Sequence, residues 1–222
     1  AVCLLESLTE KDLRDTPKNV LDDHLYGSWS GDENKYIWTP RVDTELLRPY
    51  RKYFKENVPQ SLADTIVSRT PLFVKWCKEN LTLRDDISLR YVQLDPVRVW
   101  ETGIADKWSR EIFFVTMCRT FGIAAWMDPV TRVVKYVGTD KRTYDVDFDA
   151  EEQIVSPQGR LQLRYKEIPL LDDPKYKTHF TISKYVDGQF QLLNFAGTWA
   201  SLFKNAREMD CGYYMLVSGS RM

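Results

Sequence analysis

The sequence predicts an α+β protein with its helices first and most of its strands last, on three observations. The first 90 residues punctuate as helices and loops. The run DKWSREIFFVTMCRTF is apolar nearly all round at its centre, as a helix enclosed by its neighbours must be. Beyond about residue 160 the chain alternates apolar and polar positions with period two, as strands do.

Size and charge bound the function. The 222 residues, 43% of them apolar, make one large domain or two ordinary ones and exclude disorder. With 31 basic and 32 acidic side chains the chain lacks the footprint of a protein that neutralises many phosphates, so nucleic acid is not expected as a partner. No uninterrupted apolar run approaches the roughly 18 residues of a membrane span, so no transmembrane segment is expected. The opening AVCLLESLTEKDLRD becomes charged too soon for a signal peptide and has no initiating Met, so the chain reads as a mature or excised piece. Cys3, Cys77, Cys118 and Cys211 match no metal-ligand spacing, and with two His the sequence implies no metal and no cofactor. Cys77 and Cys118 sit in apolar, helix-like surroundings and read as buried free thiols.

The elements follow in order. Ser7 with Glu10 fits a capping box, and Thr16 before Pro17 fits an N-cap with proline in the first turn. Behind it Val20, Leu21, His24 and Leu25 share one helical face, which makes His24 a satisfied core histidine rather than a catalytic one. GSWSGDENKY is a loop by composition. TELLRPYRKYFKENV places Leu47, Tyr50 and Phe54 on one face of a helix that Pro49 should kink or shorten. Thr70 and Pro71 open a helix that buries Phe73, Trp76 and Cys77. The stretch TLRDDISLRYVQLDPVRVWETGIAD reads as loop with short extended pieces. The central helix runs from Asp106 until Gly122 stops it, and IAAWM, RVVKYV and TYDVDF follow as strands, with Asp145, Asp147 and Asp149 on the solvent side of the last. LQLRY, THFTISKYV, QFQLLNF and YYMLVSG complete the strands; Asp187 and Gly188 mark a hairpin, and SLFKNAREM a short helix. The expected division is a helical and α+β core over 1–159 and a β region over 160–222 that belongs to a second β domain or extends the core sheet. Open strand edges in so small a sheet imply a longer natural chain.

The helix from Asp106, its closing RTFGIAA with Arg119, Gly122, Ile123 and Ala125, and the strands behind it resemble the core of the transglutaminase-like superfamily, relatives of the papain-type cysteine proteases. TEKDLRDTP, TPRVDTELLRPYR, GIADKWSREIFFV, HFTISKYVDGQF and YYMLVSGSR together are similar to one group of large exported bacterial transglutaminase-like proteins, in which such a core precedes β domains. The resemblance implies a papain-like fold, other domains of the same longer chain as partners, and an exported, periplasmic or cell-envelope location. It also implies a nucleophilic Cys at the start of the buried helix, where the positive dipole end stabilises a thiolate, a His before an aromatic residue on a following strand, and a later Asp.

Those groups are not in place. The nucleophile position falls near Lys107, with Trp108 and Ser109 beside it, and the base position reads Arg142, Thr143, Tyr144, with no His between residues 25 and 178. The expected function is therefore a catalytically degenerate domain that binds or scaffolds. In it Lys107, Trp108 and Arg142 would line the inherited cleft for an anionic or aromatic ligand, a peptide or glycan. Two alternatives stand beside it. One is an active acyl-transfer or cysteine-peptidase-like enzyme with relocated groups drawn from Ser109, Cys118 and His179. The other is a carbohydrate- or peptidoglycan-binding module using some of the seven tryptophans, with Trp29, Trp38, Trp100 and Trp199 in loop-like sequence.

Overall fold

The N-terminal helices are short because capping residues interrupt them every few positions. The computed structural model describes residues 2–26, 35–84, 93–150, 155, 157–186 and 188–219, residues 2, 3 and 35 by their backbone. The protein is mixed α+β and divides into two units, Ala1–Asp128 with Val133–Val155 and Pro129–Arg132 with Ser156–Met222. The division falls before the expected boundary at 159 because Gln158–Leu161 is already a strand of the second unit.

The first unit opens with α1 (Val2–Glu6), α2 (Glu10–Asp15), α3 (Lys18–Leu25) and α4 (Lys35–Trp38). The capping box of α2 is Thr9 with Asp12, two positions past the predicted pair, because Ser7 turns its hydroxyl to the Leu4 carbonyl at 2.7 Å. Pro17 rather than Thr16 takes the N-cap position of α3, which buries Val20 and His24 as its periodicity requires. GSWSGDENKY falls mostly outside the described residues, Trp29 included.

Next come α5 (Arg51–Asn57), α6 (Gln60–Ser68) and α7 (Thr70–Asn80). The helix predicted after Asp43 starts only at Arg51. Proline disfavours helix in the residue before it, and the Asp23 carboxylate supplies the cap instead, accepting from the backbone N–H of Tyr50 at 2.7 Å, Arg51 at 2.8 Å and Lys52 at 3.1 Å. Leu47, left outside the helix, packs with Leu8 and Val20, whereas Tyr50 and Phe54 join the main core.

In the stretch read as loop, residues 85–92 lie outside the described residues, and β1 (Thr82–Leu83) pairs in parallel with β2 (Ile104–Ala105) around α8 (Pro96–Thr102). The signals for α8 are in the sequence: Asp95 caps the Val97 N–H at 2.9 Å, Pro96 opens the helix, and Gly103 closes it at φ 64°. Seven residues were too few for periodicity to show.

Helix α9 (Lys107–Thr120) is the axis of this unit, with every side chain from Ile112 to Cys118 buried. It packs on the antiparallel meander β3 (Ala125–Met127), β4 (Val134–Val137) and β5 (Thr143–Asp145). Phe73, Phe113, Phe114, Phe148 and Tyr136 fill the space between helices and sheet. On β5, Asp145 pairs with the buried Lys135 at 2.5 Å, so it is a sheet partner rather than a solvated residue; Asp147 and Asp149 are exposed as expected.

The second unit pairs β6 (Gln158–Leu161) with β9 (Arg207–Asp210), and forms a three-stranded antiparallel sheet in the order β10 (Tyr214–Ser218), β7 (Phe180–Val186), β8 (Gln189–Leu192). Of SLFKNAREM, only its start lies in a helix, α10 (Trp199–Leu202); the rest enters β9, because Met209 and Asp210 find partners on β6. Gly188 turns the β7–β8 hairpin at φ 82°, and Asp187 lies outside the described residues. The core is Tyr176, Phe180, Ile182, Leu193, Phe195, Leu202 and Phe203. The buried Tyr176 hydroxyl donates to the Leu193 carbonyl at 2.8 Å and accepts from the Ile182 N–H at 3.1 Å, which ties β7 to the chain beyond β8.

Asp23→Ala should lower the unfolding free energy by about 1–2 kcal/mol, as loss of an N-cap does. Urea denaturation checks this: an unchanged midpoint would mean that Asp23 does not hold the start of α5.

Candidate functional site

The N-terminus of α9 is where a nucleophile was sought. Asp106 caps it, accepting from the Ser109 N–H at 2.8 Å with one carboxylate oxygen and from the Ser109 hydroxyl at 2.8 Å with the other. The same hydroxyl accepts from the Leu94 N–H at 2.9 Å, and Ser109 is fully buried. It fastens the 93–95 segment to the helix and presents no free oxygen for attack. Lys107 is exposed on the first turn, and Trp108 is half-buried against the core.

The other end of α9 explains the Arg-x-x-Gly-Ile-x-Ala pattern. Gly122 stands at φ 86°, the left-handed region, with its N–H on the Arg119 carbonyl at 3.3 Å and the Ile123 N–H on the Cys118 carbonyl at 2.8 Å. Those two bonds are a Schellman stop, which demands glycine at this position and favours an apolar residue after it. Arg119 turns inward and donates to three carbonyls, Ala125 at 2.8 Å, Thr39 at 2.7 Å and Arg41 at 2.9 Å. Burial lowers its pKa to about 10, which leaves it charged at neutral pH. The pattern encodes a helix-to-strand turn and a buried clamp.

The predicted base region sits at this same end. The Val137 N–H donates to the Ala124 carbonyl at 2.9 Å, so the β4–β5 turn begins beside the C-terminus of α9. Arg142 lies in that turn with its side chain exposed, 3.7 Å from the Asp140 carboxylate. Thr143 and Tyr144 are half-buried on β5, and the Tyr144 hydroxyl donates to Asp140 at 2.9 Å. Lys107 is thirteen residues back along the helix, about 20 Å at 1.5 Å per residue. The cleft expected from Lys107, Trp108 and Arg142 is therefore not assembled: its two halves stand at opposite ends of α9.

The remaining candidates are separated between units. Cys77 and Cys118 are free and fully buried, and burial raises both thiol pKa values, which disfavours the thiolate a nucleophile needs. Cys211, in the second unit, is free and exposed. Cys118 belongs to the first unit and His179 to the second. His179 Nδ1 accepts from the Lys175 N–H at 2.8 Å, which leaves the proton of the neutral ring on Nε2. His24 is fully buried edge-on to Tyr50 at 4.7 Å. It is a core histidine, as its helical face predicts, with the Arg48 backbone as a hydrogen-bond contact. Burial, helped by the charges of Arg51 and Arg119, lowers its pKa to about 3 and keeps it neutral. Among the described residues no group of three or more His, Cys, Asp or Glu could hold a metal ion, and no helix is long and apolar enough to cross a membrane.

A hollow of the size of a ligand site lies in the second unit. Tyr165, Ile168, Leu171, Trp199 and Leu216 wall a cleft of about 360 Å³, with His179, Arg164 and Ser218 as its polar groups. That volume falls within the range of small-ligand sites, roughly 300–1,000 Å³. The aromatic walls are braced from behind: the Trp199 indole N–H donates to the Leu163 carbonyl and the Tyr165 hydroxyl to the Leu171 carbonyl, each at 2.8 Å. Trp199 and His179 are site candidates in the sequence, whereas Ile168 carries no signal and Tyr165 ends the alternating LQLRY segment expected as a strand; the strand itself runs Gln158–Leu161, which leaves Tyr165 outside it and on the cleft wall. In the first unit an open groove beside α5 and α8 is lined by Arg48, Lys52 and Arg98 with Asp95, Glu56 and Glu101, which pair with one another and leave little net charge. No protein-family model, curated protein or solved structure matches this chain.

Two tests follow from the buried groups. Thiol labelling of the native protein, read by peptide mass spectrometry, should modify Cys211 and spare Cys77 and Cys118 until urea unfolds the chain. For His24 the unfolded pKa of about 6.5 lies above the folded one. Below that pH the unfolded chain takes up the proton first, so stability is complete above about pH 7 and declines toward pH 3, by at most about 1.4 kcal/mol per pH unit. His24→Phe, which keeps a ring against Tyr50, should remove that component; identical pH profiles for variant and parent would refute it.

Proposed function

We propose that this chain is a catalytically degenerate, transglutaminase-like binding module within a larger exported bacterial protein, and that its ligand seat is the cleft of the second unit. The observation that carries the binding reading is the pairing of that braced, aromatic-walled cleft with an α9 N-terminus whose hydroxyl is committed to Asp106 and Leu94. The family and the export rest on the sequence resemblance alone. A peptide or glycan suits the cleft: apolar and aromatic walls take up most of the surface, and His179, Arg164 and Ser218 offer a few directional contacts. A purely carbohydrate-binding surface draws less support, since the described tryptophans, at 38, 76, 100, 108, 126 and 199, are all buried or half-buried.

Calorimetric titration with muropeptides, glycans and short peptides tests the reading. Ile168→Glu, on an exposed part of the cleft wall, should weaken binding about tenfold or more, as a charge placed in an apolar contact does. Trp108→Ala, in the other unit, should leave affinity unchanged. Turnover of a glutamine donor or peptide substrate that disappears on Ser109→Ala or Cys118→Ala would overturn the proposal in favour of an enzyme.

A further inference from the structure

The cleft of the second unit lies against an edge strand, β10, whose outward pairing groups at Leu216 and Ser218 meet none of the described residues. In the β7–β10 pair the Tyr185 N–H donates to the Tyr213 carbonyl and the Gly219 N–H to the His179 carbonyl, which fixes the parity of the ladder. Residues 213, 215, 217 and 219 turn their backbone groups toward β7, whereas Leu216 and Ser218 turn theirs outward. No described residue is bonded to those outward groups. Alternation also aims the Leu216 and Ser218 side chains at the cleft, where both form part of the wall.

Among the described residues this edge has none of the usual protection. Proteins guard an edge strand with charges, proline or a bulge, and β10 reads Tyr-Met-Leu-Val-Ser in an unbroken register with β7. The opposite face of the sheet also exposes apolar side chains, Met215 and Val217 of β10, Tyr185 of β7, and Phe190 and Leu192 of β8, beside Thr181 and Ser183. An added strand would therefore find apolar surface on both of its faces. The cleft favours one charge sign: its wall includes Arg164 and His179 and no carboxylate, and the adjoining hollow adds Lys177, again without a carboxylate. The second edge, β8, is less suited, since its outward-turned residues Phe190 and Leu192 carry their side chains to the opposite face, away from the cleft.

We infer that β10 receives an extended peptide of another polypeptide as an antiparallel fourth strand, its apolar side chains seated at alternate positions in the cleft and an acidic residue set against Arg164. The inference rests on the binding-module reading above and names the ligand class. Each peptide residue opposite Leu216 or Ser218 exchanges two main-chain hydrogen bonds with it and points its side chain into the cleft, so backbone pairing gives affinity and the cleft gives selectivity.

The probes are acetylated, amidated hexapeptides alternating Thr with Val, Leu or Phe and ending in Asp, each with a twin N-methylated at its apolar residues. Calorimetry on the full chain should show binding by at least one of them, weakened about tenfold or more in its twin, because the methyl removes the donors that face β10. Ser218→Pro should weaken binding similarly while leaving the urea midpoint unchanged, since the Ser218 N–H does not pair with β7. Leu216→Lys gives a second reading that does not depend on proline. Binding that survives N-methylation and both variants but falls with Ile168→Glu would overturn strand addition and leave the binding module standing. Binding of muropeptides or glycans with no hexapeptide bound would do the same. Self-association that Ser218→Pro abolishes and no hexapeptide displaces would overturn it in favour of a second copy. No binding by any probe would overturn both.

Discussion

The first unit depends on a buried cation. Arg119 sits at the C-terminal turn of α9, and a guanidinium taken out of water must be met by oxygen on nearly all its donors or the fold is not stable. The oxygens come from three backbone carbonyls that lie far apart in sequence, at Thr39, Arg41 and Ala125. One side chain thereby fixes the end of the helix, the first strand of the meander and an irregular segment with no ladder of its own. Arg51, also fully buried, reaches the Ile37 carbonyl, so a second guanidinium grips the same segment from α5. Burial, with the charges of these two guanidiniums added to it, holds His24 neutral beside them.

That constraint separates two things that the sequence pattern joins. A buried helix ending in Arg-x-x-Gly-Ile-x-Ala resembles a catalytic core, yet every residue of the pattern has a structural duty here: a carbonyl clamp, a left-handed stop, an apolar cover and the start of β3. None of those duties requires chemistry at the other end of the helix. The α9 N-terminus is correspondingly filled by Asp106 and Ser109: the Asp106 carboxylate takes the Ser109 amide and hydroxyl and places a negative charge where an anion would otherwise be favoured.

What could be read from the sequence follows the same physics. Long periodic segments were legible: α9, the buried face of α7, the β3–β5 meander and the strands β7, β8 and β10 lie where alternation or all-round apolarity put them. Short elements and caps were not. The α8 helix carries Asp-Pro at its start and Gly at its end but offers only seven residues of pattern. The start of α5 is set by Asp23, a residue 28 positions earlier than Arg51, which no local window contains. For the candidate site, Trp199 and His179 were legible as residue types, but the cleft itself was not, because the alternation of LQLRY predicts a strand through Tyr165 where the strand ends at Leu161, and Ile168 lies in no periodic segment.

The second unit carries its apolar surface in an unusual place. A three-stranded sheet with one face on a core normally presents polar side chains on the other, and here Met215, Val217, Tyr185, Phe190 and Leu192 are exposed on that other face beside Thr181 and Ser183. Such a face exposes surface that folding alone does not require, and larger patches of that kind mark contact sites in soluble proteins. The braced cleft beside the same strand works in the same direction: Trp199 and Tyr165 spend their polar atoms on backbone carbonyls behind them and leave their ring surfaces to line the opening. A rigid aromatic wall next to an open strand edge is suited to recognising shape and backbone, tasks that need neither a thiolate nor an imidazole. The binding proposed for the second unit would thus need none of the groups missing from the start of α9.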